Sequence, residues 1–365
     1  MKKLYFTVNN ELNFDQRMIR ICNSLASHNY NVFLVGKCYA GSLPLSNKHF
    51  HQHRILCYFK KGKIAYIEFN IKLFFFLLKQ RVDCLCAIDL DTIFPVLIVS
   101  SIKKAVRIYD AHELFTGMKE IISRPVIQKI WEWVERNTVP YFKLGYAVSE
   151  SIAQVFHKKY NVNYKVIRNM PKLTNADNSL ESTEKFILYQ GAVNFGRCFE
   201  YLIPAMKEVN ARLIICGDGN FMGQSQQLVD KYHLHDKVIF KGMLLPEELN
   251  NISRFAYIGV NLVEPDGLNQ LYSLANKFFD YIHAGLPQLS MAFIEYARIN
   301  DQFKVAVLIT EPQPALIAAA LNLLLENDVL YNELRNNCIK ARETYNWQKE
   351  EQLLLSFYDQ IFHNN

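Results

Sequence analysis

The chain has 365 residues, 50% hydrophobic and 21% charged, with a net charge of +6. That length is too great for one ordinary core and predicts two domains of a globular, enzyme-like protein. No apolar run approaches the roughly 18 residues needed to span a bilayer, and no nucleic-acid motif or basic–aromatic repeat is present.

The first segment, MKKLYFTV, is basic then apolar, but the run breaks at Asn9-Asn10-Glu11. It therefore predicts a first strand rather than a secretory signal. Leu4–Val8 and Val32–Val35 read as short buried strands around a helical stretch, Phe14–His28. Ile71–Leu78 holds three consecutive phenylalanines and reads as a buried helix, with an interfacial helix as the alternative. Cys84–Ile88, Val106–Tyr109 and Tyr146–Val148 are further strands. The eight cysteines show no Cys-x-x-Cys pair, and several lie in apolar runs. Buried, reduced thiols in a cytoplasmic protein are expected. Asp89-Leu90-Asp91 has the spacing of an Asp-x-Asp metal pair, but no metal is expected here. Asp110-Ala111-His112-Glu113 ends a strand and sets a histidine between carboxylates, which makes it a candidate functional group. Val166–Ile167 and Arg168-Asn169-Met170-Pro171 close this first domain, residues 1–170.

Pro171–Glu184 is polar and turn-rich and reads as a linker. The alternation restarts in a second domain, residues 185–346. Strand Phe186–Tyr189 runs into Gln190-Gly191-Ala192 and then Gly196-Arg197, where a guanidinium before a helix is suited to clamp a diphosphate. Strand Arg212–Cys216 runs into Gly217-Asp218-Gly219, a turn that brings backbone near a ligand or merely turns tightly. Strand Val238–Phe240 leads to Lys241-Gly242-Met243. After strand Ala256–Leu262 comes Ser273–Pro287, SLANKFFDYIHAGLP. Ser273 is the expected N-cap and Gly285 the left-handed stop. Asn276, Lys277 and Asp280 share a face near the N-terminus, a phosphate site with a carboxylate one turn in. Val305–Leu308 is the last strand, followed by helices Pro314–Glu326 and Leu330–Tyr345. Trp347–Phe362 is an amphipathic helix carrying Leu353, Leu354, Phe357 and Ile361 at helical spacing. Strand–helix alternation throughout predicts parallel sheets covered on both faces, with ligands at the carboxyl ends of strands.

Charge is unevenly divided. Residues 1–170 hold 25 Lys/Arg against 12 Asp/Glu, a balance of +13, whereas residues 171–365 hold 16 against 23, a balance of −7. The basic half predicts an anionic surface or acceptor, such as lipid headgroups or a lipid pyrophosphate.

Several motifs in this order resemble the GT-B glycosyltransferases of the family 4 type, which are retaining and nucleotide-sugar dependent. They are Asp15-Gln16-Arg17, Tyr109–Phe115 (YDAHELF), Ala147–Ala153 (AVSESIA), Val166–Pro171, Leu188–Gly191 with Gly196-Arg197, Ile215–Gly219 and Asn276–Pro287. The resemblance implies two Rossmann-like, doubly wound domains facing across a cleft, with Trp347–Phe362 packing back on the first. It implies an acceptor-binding first domain and a donor-binding second one. Arg197 and Lys277 would hold the donor diphosphate, and Gly191, Gly217, Asp218, Gly219, Ser273 and Asn276 would line the donor site. Asp280 takes the place of the family's ribose-binding glutamate, and backbone near Met243 would read the base. His112 would approach the reacting sugar or acceptor, with Arg17, Asp110 and Glu113 on the acceptor side. The position of the first family glutamate holds Tyr272, and Glu264 is the nearby acid that would substitute. The lysine expected shortly after Arg197 is absent, so Lys277 takes that charge. The implied partners are a nucleoside diphosphate sugar and a glycan or lipid-linked acceptor, with no cofactor; the basic first half and Phe74-Phe75-Phe76 add attachment to an anionic inner membrane face as an expectation. The rival readings are a nucleotide-sugar 2-epimerase and a non-catalytic nucleotide-sugar-binding protein.

Overall fold

The computed structural model describes residues 1–174 and 184–362, so positions 175–183 of the expected linker lie outside the described residues. The chain divides into two compact units, Met1–Asn169 with Glu350–Asn365, and Met170–Lys349.

The first unit is built on strands β1 (Lys3–Thr7), β2 (Asn31–Cys38), β3 (His51–Leu56), β4 (Cys84–Ile88), β5 (Val106–Ala111), β6 (Leu144–Ala147) and β7 (Lys165–Val166). All pair in parallel, in the order β3-β2-β1-β4-β5-β6-β7. Strand β4 is buried at every position, as an apolar run covered on both faces requires. Strand β3, HQHRIL, lies at the sheet edge and pairs only with β2, so it tolerates polar residues that conceal it from pattern reading. The order reverses between β1 and β4, which puts the carboxyl ends of those strands at a switch point.

The Ile71–Leu78 stretch belongs to a longer helix, Gly62–Lys79. Leu73 and Leu77 are buried, but Ile71 and Phe75 are exposed, so the expected buried helix is buried on one face only. The final helix, Trp347–Phe362, contributes its residues from Glu350 onward to the first unit. Tyr358 packs on Phe6 and Tyr30 with ring centroids 6.2 and 6.1 Å away, and Phe357 meets Tyr146 edge-on at 5.5 Å. Leu354, Phe357 and Tyr358 form the buried stripe; Leu353, expected in it, sits one residue out of phase and is exposed.

The second unit holds β8 (Phe186–Gln190), β9 (Arg212–Cys216), β10 (Val238–Gly242), β11 (Ile258–Asn261), β12 (Gln288–Met291) and β13 (Ala306–Ile309). These too are parallel, in the order β10-β9-β8-β11-β12-β13. Its switch point lies between β8 and β11. Strand β12, QLSM, follows Pro287 directly and is too short for its pattern to show.

Candidate functional site

In the second unit the turns after β8, β9 and β10 are stitched together by backbone. Gly191 N–H donates to the Cys216 carbonyl (2.9 Å), Val193 N–H to Asp218 (3.0 Å) and Gly217 N–H to Gly242 (2.8 Å). Gly217 has φ of 151°, and a Cβ there would lie 1.9 Å from the Gly191 oxygen. A Cβ on Gly219 would lie 2.4 Å from the Val193 oxygen. Both glycines are therefore required by turn-on-turn packing, whatever binds beside them. Asp218 is exposed, and its carboxylate accepts from Gly219 N–H at 2.7 Å. Asn194 and Asn220 exchange hydrogen bonds with the opposite turns, Asn220 N–H to Asn194 and Phe195 N–H to Asn220, each 3.0 Å. That pair fixes the loop carrying Arg197, and the reading of the sequence missed it. Met243, after Gly242, leaves its side chain 76% exposed.

The helix expected from Ser273 starts later, at Asn276, and Ala275 is its N-cap. Ser273 instead ends the short helix Leu268–Tyr272, and its hydroxyl donates to the Gln270 carbonyl (3.2 Å). Residues 273 and 275 are extended, so the chain breaks there with neither Pro nor Gly to mark it. The other end is as expected. Gly285 has φ of 68°, with Gly285 N–H to Ile282 (3.0 Å) and Leu286 N–H to Tyr281 (2.9 Å) closing the helix.

This helix carries two polar groups to the end of β8. Lys277 is only 9% exposed, and its Nζ lies 3.5 Å from the centre of the Tyr189 ring. That buried ammonium has no hydrogen-bond partner among the described residues. Burial, then the neighbouring Arg197 charge, push its pKa well below the ordinary lysine value. Arg197 is half-buried and forms no ion pair among the described residues. Asp280 accepts from the Gln190 side-chain amide (2.8 Å), whose oxygen accepts from Ser253 (3.0 Å). Tyr281 supports the same strand end, accepting from Gln190 N–H (3.2 Å) and donating to the Leu188 carbonyl (3.2 Å). The roles of Gln190, Ser253 and Tyr281 here were not expected; nothing local in the sequence couples Gln190 to Asp280, 90 positions away. Glu264 follows β11 and donates its N–H to the Gly196 carbonyl (2.9 Å), beside the Arg197 turn. With Tyr201, Asp266 and Glu311 it lines an open pocket of about 430 Å³. Tyr272 is the last residue of the short helix before Ser273.

The second polar cluster lies in the first unit. Asp110, at the end of β5, is fully buried and accepts from Arg17 Nη2 (3.0 Å) and pairs with His112 Nε2 (2.9 Å). Arg17 Nη1 also donates to the Ile167 carbonyl (2.9 Å). Burial works against ionised Asp110, but Arg17 and then His112 outweigh it and hold its pKa below the usual carboxylate value. Burial likewise opposes charged His112, and Asp110 outweighs it, so the imidazole pKa is raised. Asp89 accepts from the backbone N–H groups of His112 (2.9 Å) and Glu113 (3.2 Å). It is thus an anchor for the histidine loop, and burial pushes its pKa up to about 8. Burial pushes the Asp91 pKa up to about 7, opposed by Asn9 and Tyr66, and its Oδ1 is buried without a hydrogen-bond partner among the described residues.

The structure thus brings Gly191, Arg197, Gly217, Asp218, Gly219, Glu264, Lys277 and Asp280 to the carboxyl end of the second unit's sheet, and Arg17, Asp110, His112 and Glu113 to that of the first unit's sheet.

Residues 172–344 match the family described as Glycosyl transferases group 1. An uncharacterized glycosyltransferase of Methanocaldococcus jannaschii is 25% identical over 175 residues, which cover 46% of this chain and 43% of that relative. The match therefore spans less than half of the relative's length. Among solved structures, sucrose-phosphate synthase from Thermosynechococcus elongatus superposes with a TM-score of 0.81 at 16% identity, covering 100% of both chains. Anabaena HepE, solved with UDP and glucose, gives 0.75 at 12% identity, covering 98% of this chain and 99% of that one. WaaG, a glycosyltransferase involved in lipopolysaccharide biosynthesis, gives 0.73 at 16%, with 98% and 99% covered. Two parallel-sheet Rossmann-like units of seven and six strands match the GT-B architecture. The family match lies within the second unit, and the likeness to these structures gives the fold.

Proposed function

We propose that the protein transfers a sugar from a nucleoside diphosphate sugar to an acceptor hydroxyl, with retention at the anomeric carbon, in assembling a surface polysaccharide or glycolipid. The observation that carries this reading is Lys277, a buried ammonium with no hydrogen-bond partner among the described residues, beside a second cation at a strand end. Two neighbouring like charges repel, and a diphosphate compensates both. The glycosidic transition state resembles an oxocarbenium ion. As the bond from C1 to the phosphate oxygen breaks, negative charge grows on the leaving diphosphate, where Lys277 and Arg197 stabilise it. The acceptor oxygen bonds to C1 and gives its proton to that leaving phosphate. Asp280 binds the ribose hydroxyls, backbone near Met243 meets the base, and Glu264 and Tyr272 face the sugar. His112, held by Asp110, which Arg17 in turn anchors, serves the acceptor end.

A thermal-shift screen of nucleoside diphosphates and their sugars tests the reading, with UDP and UDP-glucose first because the Anabaena HepE structures contain them. One nucleotide is expected to raise the melting temperature clearly; at a hundred times Kd the gain is about 2.7 kcal/mol. No response to any nucleotide would overturn the proposal. An epimerised sugar nucleotide released without acceptor would identify a 2-epimerase instead, and binding without turnover a non-catalytic binding protein.

Asp280→Asn keeps a hydrogen-bonding partner for Gln190, so the fold is expected to survive. Nucleotide affinity should fall by about tenfold to a hundredfold, the value of a hydrogen bond to a charged group. Calorimetry showing equal affinity would remove Asp280 from the ribose site. Because the positive charge comes from side chains, turnover is expected to persist in excess chelator. Strict metal dependence would return Asp89 and Asp91 to consideration as ligands.

A further inference from the structure

The helix Gly62–Lys79 is apolar on two opposite faces. Ala65, Phe69, Leu73 and Leu77, each four residues apart, are buried and join it to its unit. Ile64, Ile67, Ile71 and Phe75, three or four residues apart, form a second stripe that is exposed. Folding covers one stripe and leaves the other without a partner. Neighbouring helices extend this surface. Ile98 and Ile102 of Ile93–Lys103 are exposed, as are Val126, Ile130 and Trp133 of Pro125–Thr138. A groove of about 440 Å³, lined by Ile71, Phe74, Phe75, Phe94 and Ile98, joins the first two helices. Phe94 meets Trp133 with ring centroids 5.8 Å apart, which links the third.

Charge selects the partner. Lys60, Lys61 and Lys63 are exposed where the first helix begins. At its far end Lys79 and Lys104 are exposed, and Lys103 donates to the Gln80 carbonyl (2.8 Å), tying the two helix ends together. Glu68, beside the stripe, is paired with Lys72 at 2.6 Å. On the third helix the exposed acid Glu132 is flanked by exposed Lys129 and Arg136. No single helix among the described residues is long and apolar enough to cross a membrane, so any lipid contact of this face is peripheral. An apolar stripe with lysines at both ends fits the bilayer interface, side chains at the acyl boundary and ammonium groups at anionic headgroups. We propose that this three-helix face docks the protein on an anionic membrane surface. The inference rests on the surface alone and does not depend on sugar transfer.

The test is co-sedimentation of the full chain with phosphatidylcholine vesicles, with and without phosphatidylglycerol. The protein should pellet with the anionic vesicles and remain in solution with phosphatidylcholine alone. Replacing Lys60, Lys61 and Lys63 by alanine should weaken partition by about a hundredfold, roughly fivefold for each lysine. Ile71→Ser with Phe75→Ser should weaken it by about tenfold or more. All five positions are exposed, so melting curves are expected to match the parent. Failure of the parent to pellet with anionic vesicles would overturn the proposal, as would variants that pellet as it does. A dimer in solution that the Ile71→Ser/Phe75→Ser variant dissolves would give the face to a second copy of the chain.

Discussion

Lys277→Ala is expected to remove about 2–4 kcal/mol of transition-state stabilisation, a loss of about thirtyfold to a thousandfold in kcat. The reasoning starts from burial. The ammonium is nearly covered, lies against the Tyr189 ring and has Arg197 as a like-charged neighbour. Its pKa is therefore depressed in the free protein, and a bound diphosphate would restore it toward the ordinary value of about 10.4. Nucleotide binding then takes up a proton wherever the pH lies between the free and bound pKa values. Affinity should fall as pH rises through that window, because the tighter-binding form is the protonated one. Calorimetry in buffers of different ionisation enthalpy reads this uptake, and Lys277→Met should abolish it. The same depression means that the unfolded chain holds this proton more tightly than the fold does. Lys277 therefore costs stability below the ordinary lysine value, and that cost fades as pH rises from the folded pKa toward about 10.4. Lys277→Met is expected to be more stable than the parent and nearly inactive. A less stable but active Lys277→Met would show that the ammonium serves the fold rather than a ligand.

The repeating architecture was legible because the central strands are dense in β-branched and apolar residues. Cys84–Ile88 and Arg212–Cys216 were read with the bounds the structure shows. Edge and short strands escaped: His51–Leu56 opens with four polar residues, and Gln288–Met291 has four residues. In the candidate site, Lys277 and Asp280 were legible because three-residue spacing puts them on one face. The N-cap was misplaced, since Ser273 has the right chemistry but an extended Leu274–Ala275 segment separates it from the helix. Groups joined only by the tertiary fold were invisible. Gln190 reaches Asp280 across 90 positions, and Asp89 binds a loop 23 positions away. The Asp89-Leu90-Asp91 spacing gave no sign that Asp89 accepts from the backbone N–H groups of His112 and Glu113.

Asp110→Ala is expected to destabilise the first unit by about 3–5 kcal/mol, because it leaves Arg17 as an uncompensated buried charge. Arg17 would keep its bond to the Ile167 carbonyl, but its Nε has no partner even in the parent. The pair itself is a weaker source of stability than that number suggests. Replacing both charges with apolar groups, Arg17→Met with Asp110→Leu, should recover most of the loss, since neither charge then needs solvation. Urea titration followed by a probe in the first unit measures both. An Asp110→Ala loss below about 1 kcal/mol, the range of an exposed pair, would mean that the ion pair is solvated. The pH dependence has two limbs. Asp110 has a depressed folded pKa, so its contribution is present above the ordinary value of about 3.9 and is lost as pH falls through the folded pKa. His112 has a raised folded pKa, so its contribution is present below about 6.5 and is lost as pH rises through the folded pKa. In Asp110→Asn the carboxylate that outweighs burial is gone, so the imidazole pKa should drop below its ordinary value. Titration of His112 by NMR would show that reversal, and an unchanged midpoint would place the source of its raised pKa somewhere other than Asp110.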